Sequence, residues 1–424
     1  MAIEDDVLVV GGGLAGMTSA LQAAREGARV RLVSHKKSTL RHASGLVDVL
    51  GYTPDGELVA EPFDALATLP AGHPYELVGV DSVRDGLALF DEVVGDAYYG
   101  DHTDANALVP THGGTVKPTA RYPESTAAGL ASDPREALLV GFETLTAFDA
   151  PLAADHLDAA GVPAATRGVT VPFPGDFRAD SRVTRFARAL DRDEAVETAT
   201  GTAGARRALT AAVEPHLDGT ERVGFPAVLG DDESSEVRTT LERHLDVPVF
   251  EVPMGPPSLP GIRLERLFAA ALDDADVRRT TGNPVVDFEA DGERIQAVYV
   301  DRNGQRAPFH AEEFILATGG LVGKGIDSDR EGVIEPVFDC HVPHPDDRYE
   351  WFVDEAFGDH PFARFGVDVD GELRPLDADG GIEYENLRAA GGVLGGADFA
   401  AEKSGSGISL ATGYAAGRAA GEAV

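Results

Sequence analysis

Cysteine is all but missing: Cys340 is the one thiol in 424 residues. A single thiol can neither close an intramolecular disulfide nor hold an iron–sulfur cluster, which takes about four cysteine ligands. The chain also has no HExxH and no CxxC spacing. If this protein moves electrons, its own carrier is organic, or the electrons leave through another subunit. No apolar run reaches the roughly 18 residues of a membrane-crossing helix, so no direct membrane insertion is expected. The opening stretch MAIEDDVLVV starts acidic and enters a strand pattern at once, which is not the layout of a secretory signal. Lysine is scarce as well: Lys36, Lys37, Lys117, Lys324 and Lys403 stand against 31 arginines.

Acid is what the chain has in excess. Asp and Glu number 72, Lys and Arg 36, and the net charge is −36. Such a chain repels nucleic acid and anionic lipid, so neither is expected as a direct partner. The carboxylates are spread along the sequence rather than gathered in a tail, the pattern of a protein adapted to molar salt, where screening collapses the repulsion. At 43% hydrophobic the chain can still bury a large core. Its length predicts two to three domains at about 150 residues each.

Asp6–Val10 reads as a short buried strand running into GGGLAG. Met17–Glu26 has helical spacing, Gly27 stops it, and ARVRLVS forms a second strand ending at Ser34. This is a β–Gly-loop–α–β unit of about 30 residues. The stretch 51–75 reads as a connection leaving that unit, Ser82–Val94 as a helix, and residues 98–135 as irregular. A second α/β pattern begins near Glu136. Its strands are ALLVGF, VGFPAVLG and VPVFEVP, and its helices lie over Phe148–Ala160, Ser181–Asp193 and Ser234–His244. From Pro253 the texture is proline-rich until a helix around Leu264–Leu272. VRRTT, VVDFEA and IQAVYV follow at hairpin spacing, with Asp291–Gly292 and Asn303–Gly304 at the last turns. The expected architecture is α/β: a Rossmann-like FAD/NAD(P)-binding three-layer flavoprotein domain, 1–60 plus 253–424, with an inserted α/β domain over 61–252.

Three glycine-rich elements carry the chemistry. Gly11, Gly13 and Gly16 form GxGxxG between a strand and a helix. The first glycine permits the tight turn, the second admits a phosphate to the backbone, and the third lets helix pack on strand. The amides of Leu14, Ala15 and Gly16, at the helix start, then face that phosphate. An acidic residue should end the second strand and hold a ribose; Ser34 stands there instead, followed by His35, Lys36 and Lys37. The missing acid favours a weaker contact or a ligand lacking that ribose. Lys36 is either a phosphate contact or part of a solvated turn. Thr318 and Gly319, in FILATGG, form a small, permissive loop after a strand. Gly405, Gly407 and Ile408 open a helix of mostly small residues whose amides could cap an anionic ring or carbonyl oxygen.

GGGLAG, SGLVDVL (Ser44–Leu50), GFPAVLG, PPSLPGIRLERL (Pro256–Leu267), FGVDVDGELRPL (Phe365–Leu376) and ENLRAAGGVLGG with SGSGISLATG together resemble the two-domain flavoproteins of the glycerol-3-phosphate oxidase and fumarate reductase type. They are most similar to the B subunits of anaerobic glycerol-3-phosphate dehydrogenases. The resemblance implies a non-covalent flavin, FMN first and FAD second, and adds Ser44, Gly45, Val286 and Gly395 to its contacts. It implies oxidation of sn-glycerol 3-phosphate to dihydroxyacetone phosphate and two partners of such complexes: the A subunit, which carries a second flavin, and the C subunit, a membrane iron–sulfur protein that feeds quinone. This chain would then be peripheral at the cytoplasmic face of the membrane. The competing readings are a stand-alone flavin reductase or oxidase of a small anion, and a non-catalytic assembly or electron-relay role.

A secondary alcohol giving up hydride needs a base at its hydroxyl and cations around its phosphate. His112, in THGGT, is the candidate base or simply an exposed loop histidine. Arg263 either binds an anionic substrate or the flavin, or forms a salt bridge at a helix start. Arg364 and Arg374 are further candidates, and no covalent flavin linkage is assigned to His42.

Overall fold

The run Val7–Val10 offers no polar side chain to water and is buried on both faces as strand β1. Helix α1 (Leu14–Arg25) and β2 (Val30–Ser34) complete the expected β–α–β unit. In chain order there follow α2 (Pro74–Val94), β3 (Arg278–Thr281), β4 (Val285–Asp291), β5 (Arg294–Arg302), β6 (Gln305–His310), β7 (Glu313–Leu316), β8 (Leu387–Ala389) and α3 (Gly405–Glu422). These belong to the first of two units in the computed structural model, which describes residues 3–199 and 201–424. Unit 1 is Met1–Thr39, Asp48–Val94 and Arg266–Val424; unit 2 is Leu40–Val47 and Gly95–Glu265.

Unit 1 has a five-stranded, wholly parallel sheet in the order β3–β2–β1–β7–β8. A second sheet joins the meander β4–β5–β6 to the two-residue strand Ile3–Glu4. VRRTT does not belong to the meander, as its hairpin spacing suggested. Its strand β3 pairs in parallel with β2 at the sheet edge, because the chain enters it from a helix rather than a tight turn. The buried Asn386 ties the two sheets together: its side chain accepts from Ile295 N (2.9 Å) and donates to the carbonyls of Ile295 (2.9 Å) and Glu312 (2.8 Å). Asp5, buried, is neutralised by Arg31 (2.6 Å) and Arg278 (2.8 Å).

Helix α3 packs on α1 through a stripe of glycines. A Cβ on Gly413, Gly417 or Gly421 would run into Ala15, Ser19 or Glu26 respectively, so the two backbones lie in close contact. Helix α2 meets α3 in the same way, with Gly86 against the Leu410 carbonyl. It starts eight residues before the expected Ser82 and breaks at Gly79 (φ 76°).

Unit 2 is the second α/β pattern: a parallel sheet in the order Val249–Val252, Arg222–Pro226, Ala137–Phe142, Thr166–Val171. Its core gathers Phe142, Phe173, Phe186 and Phe225 with aliphatic side chains from both layers. The stretch 98–135 is more ordered than expected and holds a ribbon of Ala107–Pro110 with Val116–Thr119. The helix expected from Leu264 begins at Leu259, with Pro260 in its first turn, where a missing amide costs nothing.

The unit boundaries differ from 61 and 253. Residues 61–94 fall in unit 1 because α2 needs α3 to bury its apolar face. Leu40–Val47 falls in unit 2 because Val47 bridges Arg121, and the Arg41 carbonyl accepts from Ser258 N (3.1 Å). The stretch 253–265 stays there too, held by the ion pairs of Arg263 with Glu251 and of Arg41 with Glu265.

Candidate functional site

Strand register brings the three glycine-rich elements to one edge of unit 1. Val10, Leu316 and Ala389 are the last paired residues of β1, β7 and β8, and Leu316 faces both others. Gly11, the Ala317–Gly320 loop and the Ala390–Gly392 turn therefore leave the carboxyl ends of adjacent parallel strands together, where open α/β sheets place their ligands. Gly11 (φ 125°) and Gly16 are glycines for want of space: a Cβ on Gly11 would overlap the Ala317 carbonyl oxygen, and one on Gly16 the Gly11 carbonyl oxygen.

Gly13 is different. Its nearest neighbour to an added Cβ is Thr39 Oγ1 at 3.9 Å, so the protein itself does not need glycine there. It is the uncapped N-cap of α1, whose first turn has no acidic side chain. The first amide of this helix to find a carbonyl is that of Met17, on Gly13 O at 3.0 Å, leaving the amides of Leu14, Ala15 and Gly16 at the open end. A vacant approach over three oriented amides fits an anionic group. In the loop that leaves the neighbouring strand β7, Thr318 Oγ1 is buried against Gly325 without a hydrogen-bond partner, and Gly319 (φ 83°) turns the chain. An orphaned hydroxyl at the strand ends is the kind of group that a cofactor satisfies. The residues thus fit a phosphate-bearing flavin.

Ser34, buried at the end of β2, donates its hydroxyl to the Lys36 carbonyl (2.5 Å), while Lys36 itself is exposed. At the start of α3 the Gly407 amide is already taken by the Asp48 carbonyl (2.7 Å), and a Cβ there would meet Tyr75 Oη. Gly407 is therefore a packing glycine, and Ile408 is fully buried with its amide on Ser404 O (2.9 Å). Only Gly405 and Ser406 keep amides at that end. Gly395 is likewise spoken for: its amide donates to Val367 O (3.2 Å), and the Gly366 and Arg364 carbonyls fill the space of its Cβ. Val286 is exposed near the start of β4, four residues after Gly282, whose amide donates to the Ser34 carbonyl (2.8 Å) at the carboxyl end of β2.

Ser44, Gly45, His112 and Arg263 all lie in unit 2. Ser44 Oγ accepts from Leu46 N at 3.4 Å, and Gly45 (φ 82°) is required by the ring of Pro260. Arg263 is not a free cation. Two of its nitrogens bind the buried Glu251 carboxylate (2.6 and 3.1 Å) and one also binds the Gly230 carbonyl, so its charge serves to hold Glu251. The His112 ring lies against Gly255 and has no hydrogen-bond partner among the described residues. Arg364 pairs with Asp359 (2.6 Å) and Arg374 with Asp370 (2.7 Å).

Sequence reasoning does not find the buried network supporting the α3 start. His73 Nδ1 accepts from Tyr75 N (3.1 Å) and its Nε2 faces Glu402 Oε2 at 3.2 Å. Ser404 Oγ donates to the same oxygen (2.9 Å), and Tyr75 Oη donates to Val49 O (2.6 Å). Burial pushes the Tyr75 phenol well above its usual range. Neither His73 nor Glu402 sits in a recognisable motif; only the fold brings them together across 329 residues.

The segment between β7 and β8 buries Glu335 and Cys340. Burial raises the Cys340 thiol, which makes it an inert core residue rather than a nucleophile. Burial also pushes Glu335 up to about 7, against the pull of the Val337 and Phe338 amides at 2.8 Å. The folded state thus holds a proton that the unfolded chain releases near its ordinary value of 4.5. Glu335 costs no stability below that pH and about 3 kcal/mol once the pH has risen past 7. Melting temperatures of wild type and Glu335→Gln, measured from pH 5 to 8, should diverge, with wild type falling relative to the variant. Parallel curves would refute the assignment.

The glycine loops at the carboxyl ends of a parallel sheet define a nucleotide-binding flavoprotein class, and residues 6–408 match the family described as FAD binding domain. A protein of Halobacterium salinarum, named as the probable B subunit of an anaerobic glycerol-3-phosphate dehydrogenase, is 62% identical over 100% of this chain and 99% of its own length. The anaerobic glycerol-3-phosphate dehydrogenase B subunit of Vibrio cholerae is 31% identical over 96% of this chain and 94% of its own. Among solved structures, the open conformation of a flavocytochrome c3 fumarate reductase aligns with 99% of this chain and 78% of its own at 11% identity and a TM-score of 0.48. The chain belongs to the FAD binding domain family and, within it, to the family of anaerobic glycerol-3-phosphate dehydrogenase B subunits. Its cofactor class is a flavin; the family description names FAD, where the sequence puts FMN first. Among the described residues no helix is long and apolar enough to cross a membrane.

Proposed function

We propose that this chain is the flavin-binding B subunit of a multi-subunit oxidoreductase that converts sn-glycerol 3-phosphate to dihydroxyacetone phosphate. The observation that carries the reading is full-length 62% identity to a protein so named, on a chain whose three glycine loops meet at one sheet edge. The amides of Leu14–Gly16 would hold the flavin phosphate, and Thr318 Oγ1 would gain the partner it lacks. When bound, the flavin supplies acceptance of the hydride that leaves carbon 2. The substrate hydroxyl loses a proton in the same oxidation, and His112, with its ring nitrogens unpaired, is the proposed base. Arg263 is committed to Glu251, so the cation for the substrate phosphate lies elsewhere. Electrons leave to a second flavoprotein and to a membrane iron–sulfur protein of the same complex, since this chain has one buried cysteine and no cluster ligands of its own.

FMN is the proposed flavin, bound without a covalent link, because Ser34 presents no carboxylate to an adenosine ribose. Acid precipitation should release all the colour as FMN; FAD alone in the supernatant, or colour held in the pellet, contradicts this. The function is tested by assaying the chain, alone and with its co-expressed partners, with glycerol 3-phosphate and an artificial dye. Turnover with partners supports the reading. Fumarate reduction by the isolated chain would favour a stand-alone reductase, and full activity of a partner complex lacking this chain's flavin would give it a relay or assembly role.

A further inference from the structure

The buried network before α3 takes no part in the chemistry described so far. Its centre is the Glu402 carboxylate, whose side chain is 3% exposed and which no Lys or Arg pairs among the described residues. Three neutral donors hold it instead. Ser404 Oγ (2.9 Å) and His73 Nε2 (3.2 Å) meet Oε2, and Asp398 N (3.0 Å) donates to Oε1. His73 is neutral in this arrangement. Its Nδ1 accepts from the Tyr75 amide, which can only donate, so the ring proton sits on Nε2. A proton added at Nδ1 would break that bond. Three donors on two oxygens are the pattern of an ionised carboxylate. A buried anion without a cation is costly, and its field is poorly screened. Tyr75 feels it: burial raises the phenol first, and the carboxylates of Asp48 and Glu402 push it further.

Helix packing tells where this charge lies. Gly413, Gly417 and Gly421 meet Ala15, Ser19 and Glu26 in turn, so α3 runs parallel to α1. A Cβ on Gly391, just past the end of β8, would lie 3.5 Å from Ser409 Oγ. Ser409 is therefore level with the strand ends. The turn before it, Gly405–Ile408, extends about 6 Å beyond them on the ligand side of the sheet. Ser404 is the N-cap of that turn, and its hydroxyl is bonded to Glu402 rather than to its own helix. The anion is thus fastened to the part of α3 that reaches the cofactor edge.

We propose that His73 is a positioning residue for the Glu402 carboxylate, and that this fixed charge lowers the reduction potential of the bound flavin. The inference rests on flavin binding at the three glycine loops. Two-electron reduction adds negative charge to the flavin, which a nearby buried anion opposes. The test is a reductive titration of the flavin-loaded chain against a reference dye, beside a thermal melt and a flavin titration. Glu402→Gln keeps the side-chain shape and an acceptor for Ser404 but removes the charge. It should raise the potential by about 30 mV or more, the two-electron equivalent of a tenfold change. Ser404→Ala keeps the charge and should keep the potential, as should Glu92→Gln at an exposed carboxylate of α2. A measurement on wild type needs no variant to fold with flavin bound: nitrogen NMR of histidine-labelled protein at about pH 7 should show the His73 proton on Nε2 alone. An imidazolium there would cancel the charge and overturn the inference. Equal potentials in wild type and Glu402→Gln would overturn it too, while leaving flavin binding intact. An equal rise in Ser404→Ala would assign the effect to packing at the helix start and reject the role of charge. If wild type binds no flavin, the cofactor reading and this inference fall together.

Discussion

Gly13→Ala should give a protein that folds and melts within a few degrees of wild type but binds flavin at least tenfold more weakly, whereas Gly11→Ala and Gly16→Ala should barely fold. The contrast follows from what surrounds each position. At Gly11 and Gly16 an added methyl overlaps backbone carbonyl oxygens, and at Gly11 the backbone also sits at φ 125°, so no rotamer change relieves the clash. Main-chain overlap between β1, β7 and α1 would have to be relieved by separating the elements that form the sheet edge. That places the expected cost above about 4 kcal/mol. At Gly13 the backbone (φ −81°, ψ −176°) suits any residue and the nearest protein atom is 3.9 Å away. Exchanging glycine for alanine at this N-cap costs about 1 kcal/mol, far less than the overlap at Gly11 or Gly16. What the methyl occupies is the approach to the Leu14–Gly16 amides. Thermal melts with flavin titration of the three variants separate the roles. Full flavin affinity in Gly13→Ala would show that the phosphate lies elsewhere, and normal folding of Gly11→Ala would show that the strand-end packing is misdescribed.

That contrast also explains which parts of the site are legible in the sequence. Glycine spacing between a strand and a helix encodes a turn, a close approach and a helix contact; the fold realises the turn at Gly11 and the helix contact at Gly16, and leaves the approach at Gly13 open. Glycine elsewhere reports only that space is lacking, not what fills it. Gly45 yields to Pro260, Gly407 to Tyr75 and Asp48, and Gly395 to Gly366, all protein neighbours that no local pattern names. The same limit applies to charge. Arg263 stands in a conspicuous motif, but its partner Glu251 is on the strand VPVFEVP, whose sequence does not say which cation it meets. VRRTT reads as a hairpin strand because strand composition does not distinguish a hairpin neighbour from a parallel edge; the helix before it does, once its true length is known. His73 and Glu402 are invisible for a simpler reason: the pair is made by tertiary structure alone.

Salt should have the largest effect of any solution variable on this protein, with melting in molar potassium chloride expected roughly 10 °C or more above that at about 0.1 M. Even if each of the 36 basic side chains neutralised one of the 72 acidic ones, 36 carboxylates would remain. Many pairs that do form are exposed, such as Arg25–Glu92 and Arg306–Asp287, and exposed pairs contribute little. The repulsion is therefore a property of the whole surface, and its reach is set by the ionic atmosphere. The screening length falls from about 10 Å at 0.1 M to about 3 Å at 1 M, shorter than the spacing between most surface charges. Folding brings the excess carboxylates closer together than they are in the expanded chain, so weak screening penalises the native state more than the unfolded one. A penalty of a few kcal/mol corresponds to the expected shift at about 2–4 °C per kcal/mol for domains of this size. Melts in potassium chloride should be run beside melts in sucrose of matched water activity, which stabilises by exclusion without screening. A rise with salt that sucrose does not reproduce supports the electrostatic account, and equal melting temperatures at about 0.1 M and molar salt would defeat it.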